Sequence, residues 1–255
     1  MQHSAIYYFH IFGAIKIPSW VINIMKSIFR AKWWKILCVL FLVYTAAAGF
    51  LIPVPAKPIL HETIRNLYFH VCMWFSMMFI FTVSLVYSIK YLMDPDEESD
   101  IIASESANTG LVFGVLGLVT GMLWLRYTWG EAGKDWWAPD PKLNGALIAL
   151  LSYFAYIVLR MSIDDEQKKA RVAAVYNIFA YVMMIVFVMI YPRLNNVDSL
   201  HPGNGGNPGF NQYDLDNHMR MVFYPAVMGW VMLSAWIASI NIRIEKINRY
   251  NHNKI

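Results

Sequence analysis

A histidine stands inside an apolar run, Leu67-Tyr68-Phe69-His70-Val71-Cys72-Met73-Trp74. A titratable side chain within an apolar span is costly unless a partner meets it, so His70 is a site candidate by default. Four residues on, Trp74 shares its helix face and sets an indole beside the imidazole. Two readings stand for His70: a metal ligand, or a histidine hydrogen-bonded within a helix bundle. A second histidine, His201, heads the turn-rich stretch His201-Pro-Gly-Asn-Gly-Gly-Asn-Pro-Gly209, which reads as an irregular loop. Two neutral imidazoles on either side of an aromatic platform would suit octahedral iron. His61, after a run of helix breakers, and His218, at the start of a helix, are the alternatives to this pair.

The aromatic platform is sought in Trp129-Gly-Glu-Ala-Gly-Lys-Asp-Trp136-Trp137-Ala-Pro-Asp140-Pro-Lys142-Leu143. A porphyrin needs flat apolar faces that indoles can stack on, and cations for its two propionates. Trp129, Trp136 and Trp137 offer the first, and Lys142 the second, with Asp140 as a fixed charge between them. The same loop also reads as an aromatic belt at headgroup depth. Arg65, Arg126, Lys134 and Arg193 lie near the same interface, where they would either pair a propionate or snorkel to headgroups.

These residues need a scaffold, and composition says which kind. Of 255 residues 58% are hydrophobic and 15% charged, against about 25% charged in ordinary soluble domains. Apolar runs near membrane-spanning length recur at Ile36–Ile52, Leu67–Ile89, Ala107–Leu125, Leu143–Leu159, Val172–Tyr191 and Met221–Ile240. Each is about 17 to 23 residues, enough to cross a hydrocarbon core of about 30 Å as a helix. The expected fold is an all-α membrane protein, a bundle of six transmembrane helices with a tryptophan-rich outer loop at 126–143. Residues 1–35 are expected as a cytoplasmic or interfacial segment, with Ile6–Ile24 lying on the membrane because Lys16 and Pro18 interrupt it; if it spans instead, the N-terminus moves outside while the rest stays put. Residues 36–243 form the transmembrane domain, and 244–255 a cytoplasmic tail. Residues 1–30 lack the pattern of a cleavable signal peptide.

Several function classes fall away. The net charge of +4 is modest and dispersed, so nucleic acid is not implied. Cys38 and Cys72 both fall in apolar runs, with no paired-cysteine, zinc or thioether heme-attachment motif, and read as buried free thiols. No nucleotide-binding motif is present. With the N-terminus inside, fourteen of the 21 basic residues fall on the cytoplasmic side, which favours both termini in the cytoplasm. His70, the Trp loop and His201 then share the outer face.

Taken together, the residues resemble a known family. Trp136-Trp137-Ala-Pro-Asp140-Pro-Lys142-Leu143 resembles the tryptophan-rich "WWD" signature of the CcmC and CcsA heme-handling membrane proteins. Thr120-Gly121-Met-Leu-Trp124 and Trp129-Gly130 fit the approach to that signature in CcmC. Tyr68-Phe69-His70-Val71 resembles the motif around the first heme-ligand histidine, and His201 falls where the second is expected. Two departures are that Pro139 precedes Asp140 where the family reads Trp-x-Trp-Asp, and that the loop before Trp136 is longer.

The resemblance implies heme b as cargo, bound at the outer face of a bacterial inner membrane. His70 and His201 would be axial ligands of the iron, and the three tryptophans the platform. Asp140, Lys142 and Arg65 would orient it or meet propionates. The implied partners are a CcmE-type heme chaperone, a small CcmD-type helix and the CcmA–CcmB transporter. On this reading the chain is a heme transfer component rather than an enzyme in its own right. A CcsA-like cytochrome c synthase component and a heme permease are the alternatives.

Overall fold

Each apolar run of the sequence becomes a helix. The computed structural model describes residues 32–56, 59–128, 135–194 and 215–252. Helix α1 spans Trp33–Leu51. A 3-10 turn, His61–Asn66, leads into α2, Leu67–Met93. Then come α3, Glu97–Thr128, and α4, Pro141–Met161. Helix α5, Glu166–Met184, runs on as a π-helical turn, Ile185–Ile190, and a last 3-10 turn, Tyr191–Arg193. Helix α6 spans Asn217–His252. All six are long and apolar enough to cross a membrane, and the described residues contain no strand. The chain is a multi-pass membrane protein.

By contact the chain divides into Met1–Leu37 and Cys38–Ile255, and the packed core lies within the second. The expected interfacial segment Ile6–Ile24 lies outside the described residues. Helices α3 and α6, at 32 and 36 residues, exceed the 20 or so that a hydrocarbon core needs. Their surplus is charged: Glu97, Glu98 and Asp100 open α3, and Arg243, Glu245, Lys246 and Arg249 end α6. The stretch read as a tail from 244 therefore begins as the continuation of α6.

Successive spans alternate in direction, so two ends can be told apart. The short connections 94–96 and 162–165 lie at one end. The last turns of α1 and α3 and the first turns of α2, α4 and α6 lie at the other, together with His70.

At the short-connection end, the carboxylate of Asp100 on α3 receives both guanidinium nitrogens of Arg160 on α4, at 2.7 and 2.6 Å. Arg249 on α6 adds a third hydrogen bond at 3.1 Å. One buried carboxylate thus ties three helices.

The central core joins α2, α3, α4 and α5 through residues such as Met77, Phe81, Leu111, Phe113, Tyr153 and Met184. Phe81 and Tyr153 stack with centroids 3.5 Å apart. A second cluster at the His70 end gathers Ile64, Tyr68, Cys72, Met219, Val222 and Phe223. Cys38 and Cys72 are buried free thiols. Large apolar side chains such as Val112, Val158, Val175 and Met228 point outward, as lipid contact requires.

Pro225 stands inside α6 and has no N–H to give to the carbonyl one turn back. That carbonyl, on Met221, accepts instead from the Tyr44 hydroxyl of α1 at 3.3 Å.

The pairing of α2 with α3 positions the site. Four glycines on α3 face four large side chains on α2 in antiparallel order: Gly110 meets Phe81, Gly114 meets Met77, Gly117 meets Trp74 and Gly121 meets His70. In lipid, where no hydrophobic force drives helices together, such small residues let backbones approach. A Cβ at 117 would lie 2.9 Å from the Trp74 ring, and one at 121 would lie 2.7 Å from His70 Cε1.

Candidate functional site

His70 sits in the first turn of α2, 7% exposed, its ring seated on α3 over Gly121. Its Nδ1 lies 2.9 Å from the Gly117 carbonyl oxygen and 3.2 Å from Thr120 Oγ1. A carbonyl can only accept, so Nδ1 carries a proton and donates, and in a neutral imidazole the lone pair then belongs to Nε2. Two indoles frame the ring edge-on: Trp74 at 6.2 Å and Trp124 at 5.8 Å between centroids. Trp124 is itself oriented, its Nε1 donating to Thr63 Oγ1 at 3.1 Å. Asn66 fastens the start of α2 by donating to the Thr120 carbonyl at 3.2 Å. The expected helix face of His70 and Trp74 is therefore present, with a second indole from α3.

Trp136 and Trp137 precede α4 at the same end, 47% and 37% exposed. The Arg126 guanidinium lies over the Trp136 ring at 4.2 Å, a cation–π contact from the last turn of α3. Trp137 Nε1 donates to Asn144 Oδ1 at 3.2 Å. Both rings are thus anchored from helix ends while leaving area open.

Asp140 is the N-cap of α4. Its carboxylate accepts from the backbone N–H of Lys142 at 2.8 Å and of Leu143 at 3.3 Å, and Pro141 takes the first helical position. The fixed charge read in the loop is placed as a helix cap, 3% exposed. Lys142, half-buried in the first turn of α4, is held by that cap.

Arg65 ends α1. Its Nη1 donates to the carbonyls of Gly49 and Ile52, each at 2.7 Å, and its Nε to Glu62 at 2.7 Å. Three of the five donors of this side chain are thus engaged within the protein.

His61 and His218 are exposed, in the 3-10 turn and the first turn of α6. His201 and Trp129 lie outside the described residues. Among these, no cluster of three metal-ligating side chains occurs. A hexacoordinate iron within a porphyrin needs only two from the protein, so His70 with its indole neighbours fits such a group.

Sequence reasoning passes over Thr63 as part of the site, and meets Thr120, Gly121 and Trp124 only through the resemblance. One signal was available: the glycine spacing 110, 114, 117, 121 mirrors the spacing of Phe81, Met77, Trp74 and His70.

The fold and site define a multi-pass membrane protein that presents a buried, oriented imidazole among indoles near one membrane face. The family model "CcmC: Heme exporter protein C" matches residues 11–255, and the chain belongs to that family. It is 32% identical to a heme exporter protein C of Bradyrhizobium diazoefficiens over 116 residues, covering 46% of this chain and 43% of that protein. It is 32% identical over 113 residues to a cytochrome c biogenesis protein CcsA of Prochlorococcus marinus subsp. pastoris, covering 42% of this chain and 34% of the relative. A CcsA from another Prochlorococcus marinus strain is 36% identical over 90 residues, 35% of this chain and 27% of the relative. The chain thus spans less than half the length of these relatives.

Proposed function

We propose that this chain binds heme b at the His70 end of the bundle and delivers it to a CcmE-type heme chaperone during c-type cytochrome biogenesis. The observation that carries the reading is the His70 imidazole, buried, protonated at Nδ1 by its contact with the Gly117 carbonyl, and framed by Trp74 and Trp124. Membership of the heme exporter protein C family supports heme as the cargo. His70 and His201 are the axial ligands, and Trp129, Trp136 and Trp137 the stacking surface. Lys142 meets a propionate, and Arg65 has Nη2 for the same use. Asp140 acts indirectly, by fixing the start of α4 and with it the Trp137–Asn144 contact.

The His70 end faces the periplasm of a bacterial inner membrane, with both termini in the cytoplasm. The CcmA–CcmB transporter and a CcmD-type small helix complete the assembly. A second reading, a CcsA-like synthase component, is favoured by the CcsA relatives, one of which aligns at the same 32% identity as the heme exporter protein C relative. A covalent cytochrome c product in cells carrying this chain alone would select it.

The test is an absorption spectrum of purified protein loaded with hemin. His70→Ala and His201→Ala should each shift the Soret and α/β bands, and added imidazole should restore them. The double substitution should lose most of the heme, while His61→Ala and His218→Ala should match wild type. A wild-type protein that takes up no hemin would overturn the heme reading. An unchanged bis-histidine spectrum in His201→Ala would remove that residue as a ligand.

A further inference from the structure

We propose that Thr120, together with the Gly117 carbonyl, is a positioning residue that holds His70 as the Nδ1–H tautomer and so presents Nε2 to the heme iron. The proposal rests on the heme reading for its use, but the tautomer itself is a property of the protein without heme.

The hydrogen-bond directions follow from which groups can donate. The Thr120 hydroxyl has two carbonyls in reach, Leu116 at 2.8 Å and Gly117 at 3.0 Å. It donates to one of them. With its proton toward Leu116, its lone pairs face His70 Nδ1 at 3.2 Å. The Nδ1–H is then shared between Thr120 Oγ1 and the Gly117 carbonyl at 2.9 Å. Both acceptors belong to one turn of α3, so the ring is held at two points and cannot turn over without losing both. Gly121 completes the seat by leaving room for Cε1. The Asn66 bond to the Thr120 carbonyl fixes that turn of α3 against the start of α2.

Acceptors behind a ligating imidazole do two things. They choose which nitrogen bears the lone pair, and they raise its basicity. In this buried seat, the opposite tautomer would set a bare lone pair against the Gly117 carbonyl oxygen. A site that must receive and release a porphyrin gains from an imidazole already turned the right way, because no ring flip precedes ligation.

The experiment pairs Thr120→Val, which keeps the shape and removes the hydroxyl, with Thr120→Ser, which keeps the hydroxyl. The first readout is the ¹⁵N spectrum of histidine-labelled protein without heme, the His70 signals being assigned by their loss in His70→Ala. Wild type and Thr120→Ser should show His70 protonated at Nδ1, and Thr120→Val should show a share of the other tautomer. The second readout is hemin affinity, which should fall roughly tenfold in Thr120→Val and recover in Thr120→Ser. The reduction potential of bound heme should rise in Thr120→Val, since a less basic ligand stabilises ferric iron less. His70 protonated at Nε2 in the wild type, or Thr120→Val matching wild type in both tautomer and affinity, would overturn the proposal. Wild type that shows the Nδ1–H form yet binds no hemin would overturn the heme reading alone.

Discussion

Gly121 and His70 meet across the α2–α3 interface so closely that a methyl group at 121 would stand 2.7 Å from the ring's Cε1. The ring is stiff and pinned at Nδ1, so it cannot give way as a flexible side chain would. Gly121→Ala should therefore push the imidazole off its acceptors and lower hemin binding roughly tenfold. Gly114→Ala is the control, since a Cβ there meets the ends of Leu150 and Met77, which can rotate. Each variant should cost about 1 to 3 kcal/mol of stability through overpacking, and only Gly121→Ala should alter the heme spectrum. Equal spectra in the two variants would detach the site from this contact.

Asp140→Ala should lower stability by about 1 kcal/mol, the usual loss of an N-cap. Asp140→Asn, which caps as well, should unfold near the wild-type temperature in detergent and keep its heme. If Asp140→Asn keeps its melting temperature but loses heme, the carboxylate charge acts on the cargo or a partner rather than on α4.

Asp100→Ala should be the more damaging change, at about 3 kcal/mol, because it leaves Arg160 and Arg249 facing each other without their shared carboxylate. The loss lies at the end of the bundle away from His70. Thermal unfolding should shift down, while the spectrum of the protein that remains folded should match wild type. An altered spectrum in that folded fraction would couple the two ends.

For orientation, Asp135→Cys and Glu166→Cys place a thiol at opposite ends of the bundle, and both native cysteines are buried. A membrane-impermeant maleimide added to intact cells should label position 135 and spare position 166. The reverse result would put the His70 end in the cytoplasm and remove the periplasmic delivery step.

The six spans were legible because twenty apolar residues in lipid have little choice but a helix. Their true ends were less so. The charged extension of α6 to His252 carries no hydropathy signal, and it is partly held by contacts such as Arg249 with Asp100 that no single segment reveals. In the site, His70 announced itself as a polar group in an apolar run, and Trp74 by its spacing. Its acceptors did not, since the Gly117 carbonyl is backbone and its approach depends on the register of α2 against α3. Asp140 reads in sequence as a charge, and the structure makes it a cap, for which Asp-Pro before an apolar run is the helix-start signal. Arg65 reads in sequence as a cation near the interface, and the carbonyls it closes, at the end of α1, lie sixteen and thirteen residues earlier.

The Tyr44–Met221 bond gives α1 something its smooth apolar surface lacks, an address along α6. Aliphatic faces slide past one another in lipid with small change in contact, but a carbonyl released by a proline occurs at one height. Slipping α1 by a helical turn, about 5.4 Å, would leave that oxygen bare in hydrocarbon and the tyrosine hydroxyl stranded. Pro225 therefore acts as a key cut into α6, and Tyr44 as the ward that admits α1 at a single depth in the membrane.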